Sequence, residues 1–138
     1  MKSILLILSF VVTGQLFAQG NLQFNQVILQ DFNSTVAGWA TVTSSTFTVP
    51  AGKVWKIEHA EAWYYLGVRS TAGSGFSLYV NNTLLRRSRS SSGNINQGGD
   101  HFPVWLPAGS YDIIIANETS TSYNFTGSIS AIEFNVIP

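Results

Sequence analysis

From Leu22 onward, apolar residues come in short runs, many of them alternating with polar residues, and the runs are separated by clusters of Gly, Pro, Asn and Ser. No long stretch keeps the spacing of an amphipathic helix, so the pattern predicts an all-β chain. Strands are expected over residues 23–32, 39–43, 46–49, 54–66, 76–80, 83–87, 102–106, 110–117 and 125–137, eight or nine in all. Alternation is clearest where Phe76, Leu78 and Val80 oppose Ser77, Tyr79 and Asn81, as the two-residue period of a strand requires. Asn81-Asn82 supplies residues that tolerate positive φ, which predicts a hairpin over 76–87. One segment competes with this reading, because Ile57, Ala60 and Tyr64 could also line a short helix within 57–66.

An internal echo organises the chain. Val49-Pro50-Ala51-Gly52 and Leu106-Pro107-Ala108-Gly109 lie 57 residues apart, each between two apolar strand-like runs. Proline presets φ for the first corner of a turn and glycine accepts backbone angles that other residues resist. Pro50, Gly52, Pro107 and Gly109 are therefore read as structural turns that send the chain into a new strand, and two such corners predict a two-sheet antiparallel β-sandwich. Strand count, length and corners resemble the jelly-roll domains of the C1q and tumour-necrosis-factor type and of the cupins, a resemblance of fold alone. The cupin metal motifs are not reproduced. Gly99-Asp100, Pro107-Ala108-Gly109 and Asn117 follow the second motif in outline, but its spacer is too long and the histidine position holds Asp112. At the first motif the histidine positions hold Glu58 and Ala60.

The N-terminus changes the picture of location. Met1-Lys2-Ser3, a run of nine mostly apolar residues from Ile4 to Val12, and the close Phe17-Ala18 read as a secretory signal peptide over 1–18, too short for the ~20 residues that span a bilayer. The ending Phe17-Ala18-Gln19 resembles signals of Bacteroidetes-type bacteria. The expectation is a single domain over 19–138, secreted, periplasmic or at the cell surface. In that domain six Lys and Arg face seven Asp and Glu, a net charge of −1, and only 10% of the whole chain is charged against an ordinary ~25%. Such a balance argues against nucleic acid and polyanion partners. The chain contains no cysteine, so neither disulfides nor thiolate chemistry are available to it. Asn33, Asn81, Asn117 and Asn124 head glycosylation sequons, which matter only in a eukaryotic host.

Candidate chemistry is sparse. His59 and Glu61 share a strand face and His101 could complete a metal site, but nothing in the sequence brings His101 near. Asp100-His101 are neighbours whose side chains diverge on an extended backbone, and Glu58 and Glu61, three apart, are expected on opposite faces. No catalytic residue, metal or cofactor is assigned, and an enzyme or metal-binding cupin ranks last. Sixteen aromatics fall in 19–138. Trp39, Trp55 and Trp105 are expected in the core, whereas the consecutive Trp63, Tyr64 and Tyr65 must turn at least one ring outward, toward a sugar or a protein contact. Arg86, Arg87 and Arg89 open into the serine-rich loop 88–93, a basic spot that could hold an anionic group or guard a sheet edge. Ile113, Ile114 and Ile115 place apolar atoms on both strand faces, which calls for an interior strand or a subunit interface. These features together predict a non-enzymatic homo-oligomeric surface subunit of C1q-like or coat-like type. The alternative is a lectin-like module for extracellular glycan, and a surface protein is a further candidate partner.

Overall fold

The computed structural model describes residues 21–64, 75–91, 94–98 and 101–137. The expected signal peptide and Tyr65 lie outside them. Among the described residues seven strands are present: β1 (Asn21–Val36), β2 (Thr41–Tyr64), β3 (Phe76–Val80), β4 (Thr83–Ser91), β5 (Asn94–Gly98), β6 (Val104–Asn117) and β7 (Tyr123–Ile137). The all-β expectation holds, and the two-sheet sandwich does not. The strands form one antiparallel sheet, ordered β1-β7-β2-β6-β3-β4, with the short β5 continuing it beyond β4. The sheet is open, with β1 at one edge.

The correction has a local cause. Pro50-Ala51-Gly52 and Pro107-Ala108-Gly109 do not end strands. Each lies inside a single long strand, and the two stand side by side, since Val49 pairs with Gly109 and Val54 with Pro107. Four residues of β2 thus oppose one of β6, and the ladder resumes beyond the irregularity. Residues 41–49 of β2 pair with β6 alone, residues 54–57 with both β6 and β7, and residues 59–64 with β7 alone. The expected strands 39–43, 46–49 and 54–66 therefore merge, over residues 41–64, into β2, with positions 65 and 66 outside the described residues, and 102–106 and 110–117 merge, over residues 104–117, into β6. The hairpin between β3 and β4 is as expected, with Asn81 in the left-handed region at φ 49°.

Further single-residue bulges decide which side chains face inward. Asn25 is the extra residue in β1 against β7, and Glu58 the extra one in β2 against β7. The Glu58 bulge explains the helix-like spacing of Ile57 and Ala60, for both are buried on one sheet face with Ala62 and Tyr64. Glu58 and Glu61 consequently share the outward side, correcting their expected separation. Leu85, the extra residue of β4, is fully buried.

The inward face carries the core. Phe32 and Val36 of β1, Phe125, Ile129 and Ala131 of β7, Phe47, Val49, Trp55 and Ile57 of β2, and Ile113 and Ile115 of β6 are all buried. Rings from both arms of the sheet meet there. Phe76 of β3 lies edge-on to Phe125 of β7 at 5.8 Å, and Tyr64 stacks on Tyr123 at 3.9 Å. Trp39 and Trp105 are not core residues as expected but are exposed, at 73% and 47%.

The two corner glycines differ. Gly52 has φ +71° and open space where a Cβ would stand, whereas Gly109 has no positive φ and a Cβ there would only touch the Tyr111 ring at 3.6 Å. Gly52→Ala is expected to lower the unfolding free energy by about 1 kcal/mol through its left-handed backbone. Gly109→Ala should stay within about 0.5 kcal/mol. Urea denaturation of the two variants checks the contrast, and equal losses would contradict it.

Candidate functional site

The β1–β7–β2 register sorts side chains between the two faces of the sheet. Opposite one another on the outward face stand Leu22 and Val136, Phe24 and Phe134, Val27 and Ile132, and Leu29 and Ser130. Strict alternation would put Leu22 and Phe24 on the other face from Val27 and Leu29. The Asn25 bulge reverses the parity between the pairs and brings all four to one side. The band continues through Val54 and Lys56 of β2, paired with Phe134 and Ile132, to Trp105 of β6, paired with Lys56. Trp105 lies 5.7 Å from Phe134, and the Lys56 ammonium stands 5.6 Å from the Trp105 ring centre while bonding Glu58 at 2.6 Å.

The outcome is an apolar band across four strands. Phe24, Val27 and Leu29 are each roughly three-fifths exposed. Between Asn21 and Gln30 β1 carries no charge and no proline, two of the devices that keep exposed strands apart, and the Asn25 bulge is the interruption this stretch does carry.

On the inward side, a buried carboxylate holds this band in register. Glu133 of β7 is 3% exposed. Its Oε2 accepts the Trp55 indole N–H at 2.7 Å, and its Oε1 accepts from Asn25 at 2.5 Å and Gln26 at 3.1 Å. Lys53 stands 3.9 Å from Oε1 and donates to Asn135. Burial pushes the carboxyl pKa upward, but the hydrogen bonds from Trp55, Asn25 and Gln26 and the Lys53 charge outweigh it, leaving Glu133 below the ordinary carboxylate value. Asn25, the bulged residue, is thus fixed by the group that the bulge serves.

Beyond Leu29 the outward face turns polar. Asp31 pairs with Ser128 and Asn33 with Thr126, and these pair in turn with Glu61 and Trp63 of β2. Trp63 is outward and 41% exposed, while Tyr64 beside it is buried. The Trp63 ring borders an open hollow of about 450 Å³ with Asp31, Asn33, Thr126 and Ser128. His59 lies 3.8 Å from Glu61, both exposed. Among the described residues no group of three or more His, Cys, Asp or Glu side chains comes together.

The remaining candidates sit elsewhere. Arg87 is bound to Glu118 at 2.8 Å, and Ser77 donates to the same carboxylate at 2.6 Å. Arg86 pairs with Leu78 along the backbone and Arg89 with Asn96. Ile113 and Ile115 are buried, and Ile114 lines a hollow on the opposite side with Tyr79 and Asn81. Trp39 stands at φ 58° in the loop after β1, an unusual angle for a bulky residue. Its N–H donates to Thr119 O at 2.8 Å. The loop is tied down by the buried Asn117 amide, which donates to the carbonyls of Val36, Ala37 and Thr121.

Comparison of the chain with protein-family models, with curated proteins and with solved structures finds no match.

Glu133→Gln keeps the side-chain volume but replaces one acceptor oxygen by a donor facing other donors, so a loss of ~1–3 kcal/mol is expected. Because the folded pKa lies below the unfolded one, the carboxylate stabilises fully above about pH 4.5, and its contribution is lost as pH falls through the folded value. Urea midpoints followed from neutral pH into that range should fall more steeply for the parent than for Glu133→Gln. Parallel curves would contradict the assignment.

Proposed function

We propose that this chain is an exported, non-enzymatic subunit that assembles with further copies of itself through the outward apolar band of β1, β7, β2 and β6. The observation that carries this reading is the continuity of the band: Leu22, Phe24, Val27 and Leu29 line up along an edge strand, and Phe134 and Trp105 extend it inward across the face. Isolated exposed apolar residues are ordinary on protein surfaces, whereas a contiguous patch calls for a covering partner. A second copy supplies a complementary surface of the same chemistry, and a two-fold contact between identical patches closes on itself. The scarcity of charge fits the same role, since few desolvation penalties oppose burial of this face.

The interface expected at Ile113 to Ile115 moves accordingly. Ile113 and Ile115 belong to the core and Ile114 borders a separate hollow, whereas the most exposed apolar residues of the band are on β1 with Trp105 of β6 and Val136 of β7.

Light scattering of the chain over 19–138 should give the mass of an oligomer. Val27→Lys combined with Leu29→Lys introduces charge at two exposed positions on the band and should reduce the mass to that of one subunit without altering the far-ultraviolet spectrum. A monomeric parent, or an unchanged mass in the folded double variant, would contradict the proposal.

A further inference from the structure

We infer that the hollow beside Trp63 is a binding site for a neutral pyranose unit of a glycan. The residues around it form a trough whose shape follows from strand order. The middle strand, β7, contributes the short side chains Thr126 and Ser128, while β2 raises the Trp63 ring on one side and β1 sets Asp31 and Asn33 on the other. A volume of about 450 Å³ lies within the ~300–1,000 Å³ range of small-molecule sites.

The chemistry on its walls is that of sugar recognition. A pyranose has an apolar face of C–H groups, which packs on an aromatic ring, and a rim of hydroxyls that need partners. Trp63 offers the ring. Asp31 offers two carboxylate oxygens that have no hydrogen-bond partner among the described residues, the Gln30 side-chain amide bonding its backbone carbonyl instead. Asn33 spends one amide N–H on Thr126 Oγ1 at 3.1 Å, which leaves its carbonyl oxygen and a second N–H available.

Charge selects among sugars. Among the described residues no Lys or Arg lines the trough, while Asp31 lies in it and Glu61 is the strand partner of Ser128. A uronate or sulfated sugar would meet like charge, so the ligand is neutral. The hollow bordered by Thr41, Tyr79, Asn81, Asn82, Ile114 and Ala116 also has a ring and amides but no carboxylate, and its Asn81 carbonyl accepts from the Asp112 N–H. The site does not depend on self-assembly, as Trp105 and Phe24 occupy the other end of the face.

The test is isothermal titration with cellohexaose, xylohexaose, laminarihexaose and mannohexaose, and with polygalacturonate as an anionic comparison. At least one neutral oligosaccharide should bind and polygalacturonate should not. Trp63→Ala should weaken binding by about tenfold or more, Trp63→Tyr should retain most of it, and Asp31→Ala should weaken it independently of the ring. Trp105→Ala should leave the affinity unchanged. Failure of all four neutral sugars to bind, preference for the polyanion, or undiminished binding in folded Trp63→Ala would overturn the inference.

Discussion

Glu133 is the constraint on which the arrangement of β1, β7 and β2 depends. A carboxylate removed from water is costly unless charge and hydrogen bonds replace its hydration, and here the replacements come from the two strands that flank β7. Trp55 and Lys53 reach it from β2, and Asn25 and Gln26 reach it from β1. Any slip of β1 or β2 along β7 would withdraw donors from a buried charge. Register is thus enforced electrostatically where the edge strand has only one neighbour.

The Asn25 bulge converts that constraint into a surface. Because β1 has one extra residue beside Glu133, the apolar residues on either side of it emerge on the same face. Farther along the same face, short residues on β7 flanked by Trp63 and Asp31 leave a trough in place of a band. One face of one sheet therefore carries two chemistries, an apolar end suited to another protein surface and a polar aromatic end suited to a small hydroxylated ligand. The self-assembly and sugar-binding proposals occupy separate residues and can be tested separately.

The local parts of this structure were legible in the sequence and the long-range parts were not. The hairpin from Phe76 follows from two adjacent asparagines and a short alternation. The two Pro-Ala-Gly corners were equally visible, but their local chemistry is the same whether a strand ends there or continues, and only their alignment across β2 and β6 decides the matter. Bulges at Asn25 and Glu58 add one residue and invert the inside and outside of everything beyond, with no mark in composition. The exposure of Trp39 depends on contacts with Thr119, and Asn117 holds the same loop from about eighty residues along the chain. Glu133 itself could have been found, since the alternation of Phe125, Ile129 and Ala131 continues onto it and places a carboxylate inside.

Amide hydrogen exchange compared between the parent and Glu133→Gln tests the central claim most directly. Loss of the buried charge should speed exchange in the first half of β1 and the facing end of β7, while the amides of β3 and the adjoining part of β6 keep their protection. An increase spread evenly over the sheet, or none in β1, would show that Glu133 does not hold the edge strand in place.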